Sequence, residues 1–154
     1  MITAHKDGRN LVLTMEGLDP FVIKPLPGRA GVQITDTYLG SLQTDADSAE
    51  FLAALLMAVD GAHENAITGR WEPVPEDEQL NYARIGRELS QGEAELIIMP
   101  AFFWQTILNM DGVREYIDGG EGLAGTLKAS RALSERLGLI SRVPLPRPTS
   151  PSSE

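Results

Sequence analysis

The sequence predicts a mainly α-helical α+β domain: a short N-terminal β-hairpin, five to six helices, and a disordered Pro/Ser-rich C-terminal tail. Three observations predict it. Two short runs before residue 25 are rich in β-branched and other apolar residues and flank a Gly-Asp-Pro turn. From Gly28 to about residue 138, apolar residues recur at three- and four-residue spacing. The last stretch, Val143 to Glu154, is dominated by proline and serine and cannot build a core. The expected organisation is one globular domain over residues 1–142, with the hairpin at 10–25, helices at 28–138, and a disordered tail at 143–154.

Each element has a local cause. Asn10 to Met15 and Phe21 to Lys24 read as strands, and Glu16-Gly17-Leu18-Asp19-Pro20 supplies the turn between them. Pro25-Leu26-Pro27-Gly28 ends the hairpin, because proline cannot donate to a ladder and restricts the residue before it. An isolated hairpin is marginal in water, so it must pack on helices or pair with another chain's strands.

Ile34, Tyr38 and Leu42, with Leu39 beside them, predict the first helix. The second is expected to open on a capping box of Asp47 and Glu50. Its stripe is Phe51, Leu52, Leu55, Leu56 and Val59, and Gly61 follows its end. Trp71-Glu72-Pro73-Val74-Pro75 reads as a stiff connector. Glu76, Asp77 and Glu78 then complement the N-terminal dipole of a helix carrying Leu80, Ala83 and Ile85. Ser90 and Glu93 match another capping box. Pro100 either kinks the following helix or begins a new one. Val113 to Asp118 reads as a short helix, and Gly112, Gly119 and Gly120 punctuate the chain around it. A last helix from about Leu123 to Leu137 should turn Leu127, Leu133 and Leu137 inward.

The 154 residues suit one domain, and 42% hydrophobic with 23% charged residues is ordinary for a globular protein. A chain of this size buries roughly 68–70% of its unfolded surface and needs no disulfide or metal staple. Thirteen basic against 22 acidic residues give a net charge of −9. That balance argues against nucleic acid, which is held by Lys and Arg, and against an anionic membrane surface. Between Asp45 and Glu95 there are 12 acidic and 3 basic residues, so the middle of the chain holds the whole imbalance. It reads as solvated helix faces, or as a surface for a basic partner. With no cysteine there is no thiol nucleophile and no Cys-ligated metal. Met1 to Asn10 lacks the apolar core of a signal peptide, and no run approaches 18 apolar residues.

Catalytic signatures are weak. Gly120-Glu121-Gly122-Leu123-Ala124-Gly125 spells the dinucleotide fingerprint, but a helical pattern precedes it rather than a buried strand. No acidic residue follows at the ribose-binding distance, and Asp118 and Glu121 would repel phosphate. A loop opening the last helix is the better reading. Asp45-Ala46-Asp47-Ser48-Ala49-Glu50 starts like a calcium loop but lacks the third oxygen ligand and the turn glycine. His5 and His63 stand singly, with no metal spacing and no nucleophile elbow nearby. Twenty-two acids guarantee some close carboxylate pairs, but nothing singles one out. The expectation is a protein without catalytic residues, cofactor or metal.

Leu96 to Met110 is the most apolar stretch. As one continuous helix its apolar arc would span roughly 200°, wider than the stripe of about 100° that covers one core face. One side can face the domain's own core. The other needs either further elements of the same chain or a second protein.

The run Ile107-Leu108-Asn109-Met110-Asp111-Gly112-Val113 resembles the aliphatic-x-x-Asp-Gly-Val signature of tail assembly chaperones from long, flexible-tailed (siphovirus-type) phages of actinobacteria. Ile117 and Leu123-Ala124-Gly125-Thr126-Leu127 are similar to the Ile and Ala-Gly-x-Thr segment that follows there. Upstream, Asp19-Pro20-Phe21-Val22-Ile23-Lys24-Pro25-Leu26-Pro27 resembles their N-terminal strand and proline-rich lead-in. The resemblance spans roughly residues 10 to 138, and the order of its short motifs counts for more than any single one. Ala101-Phe102-Phe103-Trp104 is more aromatic than that pattern, and Lys128-Ala129-Ser130 stands where a tryptophan often follows the Thr.

The resemblance implies a non-enzymatic protein of the host cytoplasm that binds the helical tape measure protein and keeps it soluble. It would help recruit tail tube subunits and leave before the virion is complete. In that family a frameshift near the end of the short form yields a longer version that contacts tube protein. On this reading Met99, Phe102, Phe103, Trp104, Ile107 and Met110 carry partner binding by helix-in-groove recognition, with aromatic and Met anchors. Pairing between copies through the hairpin edge would make a homo-oligomer. Two other classes compete: a small structural or adaptor protein of the phage tail or of host interaction, using the hairpin edge or the Pro-Leu-Pro-Arg-Pro tail, and an acidic hydrolase with an unrecognised carboxylate site.

Overall fold

The computed structural model describes residues 1–42 and 48–142. A strand precedes the expected hairpin at 10–25. β1 (Ile2–Asp7) turns through Gly8-Arg9 into β2 (Asn10–Met15), and β3 (Phe21–Ile23) completes an antiparallel sheet of order β1-β2-β3. Gly8 has φ of 62°, the left-handed conformation that two-residue hairpin turns require. β1 carries a single large apolar residue, Ile2, so its sequence shows little strand pattern. Its register, Ile2 opposite Met15 and Asp7 opposite Asn10, comes from the turn. The core face is Ile2, Leu11, Leu13, Met15, Phe21 and Ile23, all buried.

α1 (Gly28–Ser41) and α2 (Ser48–Asp60) follow. α1 buries Ala30, Ile34 and Tyr38 as the spacing predicts, but Leu42 lies exposed beyond its end. The expected Asp47 cap lies outside the described residues. On α2 the buried residues are Ala54, Met57, Ala58 and Val59, whereas Leu52 is exposed. Of the expected stripe, Val59 is thus buried and Phe51 and Leu55 pack half-buried against the core.

The chain is not helical throughout after Gly28. A two-stranded sheet, β4 (Ala62–Glu64) with β5 (Trp71–Pro73), replaces the expected connector. Pro73 is compatible with β5 because that strand has only one neighbour. After a 3₁₀ turn at Glu76–Glu78, α3 (Leu80–Glu88) buries Ile85 and leaves Leu80 exposed. Its first backbone amides, at Asn81 and Tyr82, donate to the Asp60 carboxylate at 2.8 Å each, so the end of α2 caps α3.

α4 (Gln91–Trp104) starts on the expected capping box: Glu93 N donates to Ser90 Oγ, and Ser90 N to Glu93 Oε1. Pro100 lies within this helix rather than starting another. The helix does not continue to Met110. It stops at Trp104, a turn covers 105–109, and α5 (Met110–Asp118) begins a new direction. Thr106 helps end α4 by donating its hydroxyl to the Phe103 carbonyl at 2.6 Å, and Asn109 has φ 54° and ψ −131°, outside any helix. The single broad apolar arc is therefore divided between two helices.

α6 (Gly122–Arg142) closes the fold against α5. Leu133 is buried and Leu137 half-buried as expected, but Leu127 is exposed. The reason is Gly125: a Cβ there would collide with the Tyr116 carbonyl oxygen, so the tightest crossing runs along Gly125, Ala129 and Leu133. The fold class is α+β and mainly helical, with six α-helices among the described residues. The expected tail, 143–154, lies outside them.

Candidate partner-docking groove

α4 is the centre of the molecule: it touches α2, α3, α5, α6 and β2, and its C-terminal half is buried, as a helical stretch that is apolar all round requires. Phe102 and Phe103 are 0% exposed, Trp104 is 2% exposed, and Met99 is buried. Tyr38 stacks into the same cluster, with ring centroids 4.7 Å from Phe102 and 5.9 Å from Phe103. These four of the six expected anchors are thus core residues and offer no surface to a partner. Their second apolar side is covered by the chain's own helices. Met110, which opens α5, is half-buried; of the six, only Ile107 is exposed, at 48%.

Ile107 belongs to an apolar groove of about 320 Å³ between α1, the 105–109 turn and α6. Val32 of α1, 61% exposed, stands on one side, and Leu137 of α6 also lines it. Asp36, one turn beyond Val32 on α1, is its sole charged lining residue.

The turn carrying Ile107 is fixed from several directions. The Gln105 carboxamide accepts from Leu26 N at 2.9 Å and donates to the carbonyls of Lys24 at 2.9 Å and Ala58 at 3.0 Å. One side chain thus ties the exit of β3, the end of α2 and the end of α4 together. Gly31 lets α1 lie directly on this turn, and Thr35 satisfies its buried hydroxyl by donating to the Gly31 carbonyl. Leu108 N in turn donates to Thr106 Oγ1 at 3.2 Å. The groove's wall is therefore a rigid, hydrogen-bonded turn.

A larger cleft of about 420 Å³ lies between α5 and α6, but its lining is mostly charged. Asp111 meets Arg114 at 3.1 Å and Arg136 at 3.4 Å. The groups with clearly displaced pKa values serve the fold. Burial pushes up the Tyr38 hydroxyl, which meets Ser130 Oγ at 2.6 Å. Burial likewise raises the Asp60 carboxyl, opposed by the two amides it accepts from α3.

The weaker motifs are not assembled. His5 is on β1, while His63 pairs across β4–β5 with Glu72 at 3.8 Å, both exposed. Among the described residues no group of three or more His, Asp or Glu could hold a metal ion, and no helix is long and apolar enough to cross a membrane. Asp45 and Asp47 lie outside the described residues. Gly120 and Glu121 lie in the turn between α5 and α6, and Gly122 to Gly125 open α6, with helix rather than strand before them.

No family model, curated protein or solved structure matches this chain. The glycines of the quoted motifs have local explanations. A Cβ on Gly112 would sit 2.9 Å from the Phe103 carbonyl oxygen and 3.0 Å from Leu108 Cβ, so the Asp-Gly-Val step lets α5 close on α4. Gly125 of Ala-Gly-Thr does the same for α6 on α5. Sequence reasoning missed Val32 because it lies off the Ile34–Tyr38 stripe. A β-branched residue one turn before Asp36 on a solvent face was the available signal.

Proposed function

We propose that this protein is a tail assembly chaperone of siphovirus type, acting in the host cytoplasm. It binds an apolar ridge on a helical client, the tape measure protein, keeps that client soluble and helps bring tail tube subunits to it. The observation that carries the binding mode is the Val32–Ile107–Leu137 groove, an apolar strip on a chain of net charge −9. The family is proposed on the resemblance of the ordered motifs between residues 107 and 127. A client helix would place one or two aliphatic side chains in the groove, each worth roughly 1.5–3 kcal/mol on burial. A basic residue beside them would face Asp36, the one charged residue that lines the groove. On this reading the docking surface is the groove, which Ile107 lines and where it is exposed.

The test is co-expression with the long helical tape measure protein of the same genome. Val32→Asp with Ile107→Asp should reduce capture by at least about tenfold while the free domain stays folded. Undiminished capture by the folded double variant would remove the groove from the proposal. A second reading, a permanent adaptor of the tail, draws support from the unpaired edge of β1. It requires the protein to persist in finished particles, which a chaperone leaves.

A further inference from the structure

β1 is an edge strand, and the parity of its hairpin shows which groups are free. With Asp7 and Asn10 closing a two-residue turn, the backbone groups of Thr3, His5 and Asp7 point to β2, and those of Ile2, Ala4 and Lys6 point outward. Ile2 agrees: its N–H donates at 3.2 Å to Glu121 Oε2 on the α5–α6 turn. Glu121 has left-handed φ of 60° and a side chain only 13% exposed, and its carboxylate occupies the place where an added strand would present a carbonyl. The edge is therefore stopped at Ile2 and open at Ala4 and Lys6.

We infer that β1 pairs antiparallel with β1 of a second copy about a two-fold axis at His5, joining two three-stranded sheets into one of six. In this register Ala4 of each copy exchanges hydrogen bonds with Lys6 of the other, using the outward groups of both. The alternative centred on Ala4 would need the Ile2 N–H, which Glu121 holds. Charge favours the same alignment. The β1 hairpin is a basic spot on an acidic chain, with exposed Lys6 and Arg9 against Asp7. The His5-centred register brings the second copy's Gly8-Arg9 turn alongside Ile2, and so its guanidinium to the Glu121 carboxylate, where it joins the Met1 ammonium that lies 3.9 Å from Glu121 Oε1. An isologous contact makes that pair twice.

The chain has no cysteine, so single-cysteine variants report the register cleanly. The two His5 residues would face each other at a non-hydrogen-bonded position, where Cα atoms lie about 4.5 Å apart. Oxidation of His5→Cys should give a covalent dimer, and Ala4→Cys should give far less. Lys6→Pro removes an outward N–H and leaves the β1–β2 ladder intact, as proline at an edge permits. By light scattering, the unmodified protein should have twice the mass of one chain. Lys6→Pro should have the mass of one chain, with unchanged circular dichroism. A single-chain mass for the unmodified protein throughout a dilution series would overturn the inference, including the case in which β1 takes an extended peptide from another protein. So would cross-linking of Ala4→Cys as efficient as that of His5→Cys.

Discussion

The backbone carbonyl oxygen of Gln105 lies 2.8 Å from the position a Cβ on Gly31 would occupy. No side chain fits there without displacing either α1 or the turn that ends α4. The Gln105 carboxamide anchors the same turn to Lys24, Leu26 and Ala58, so the turn has little freedom to yield.

Gly31→Ala is accordingly expected to destabilise the fold by about 1–3 kcal/mol, the usual cost of forcing atoms into a packed site. Thermal unfolding followed by circular dichroism measures it. Gly40→Ala, on the same helix with open space around its Cβ position, is the control and should be neutral or slightly stabilising. Equal stability of the Gly31 and Gly40 variants would show that the approach of α1 to the turn is loose.

Phe103→Ser and Trp104→Ser should each unfold the domain or cost about 3–5 kcal/mol, since both side chains are enclosed. The same change at Val32, on the groove rim, should stay within about 0.5 kcal/mol. Chemical denaturation of the three variants separates core from surface. A folded, stable Trp104→Ser protein would return that residue to the list of surface candidates.

The contrast between these positions shows what the sequence could convey. The helix start at Ser90 was legible because a capping box is local, and Ile34–Tyr38 because helical spacing is local. The strand at Ile2–Asp7 was not, because a turn at Gly8 and a partner strand impose it on a polar sequence. Leu96 to Met110 was recognisably too apolar for a one-sided helix. Whether Trp104 faces inside or outside, however, depends on how many helices surround α4. That number is set by Gly112 and Gly125, whose missing side chains admit α5 and α6. Nothing in the spacing of Val32, Ile107 and Leu137, drawn from three separate elements, announces that they meet.

Ser90→Ala removes the hydroxyl that accepts from Glu93 N at 3.2 Å, and should cost about 1 kcal/mol of stability. The reciprocal bond, from Ser90 N to Glu93 Oε1 at 2.8 Å, holds the Glu93 carboxyl below its ordinary pKa. A carboxyl lowered on folding contributes stability above its unfolded pKa and loses it as pH falls through the folded value. The difference in stability between the parent protein and Glu93→Gln should therefore shrink on acidification below about pH 4.3. A pH-independent difference in denaturant midpoint would show that the box closes without the charge.

At alkaline pH the informative group is Tyr116. Its hydroxyl accepts from Gly122 N at 3.0 Å and reaches the Glu95 carbonyl at 3.4 Å. Burial, with the neighbouring charges of Glu95 and Glu121, pushes its pKa up to about 12 despite the Gly122 bond. In the unfolded chain a tyrosine releases its proton near pH 10. Between about pH 10 and 12 the unfolded state therefore binds fewer protons than the native one, and stability falls as pH rises. Tyr116→Phe should start less stable, having lost the acceptor for Gly122 N, but decline less steeply over that window. Tyr38, also raised by burial, keeps part of the slope. The difference in phenolate absorbance between the parent protein and Tyr116→Phe isolates the one titration. If it rises near pH 10 in the folded protein, the α5–α6 turn is open to water, and the clamp that Glu121 places on β1 loses its rigid base.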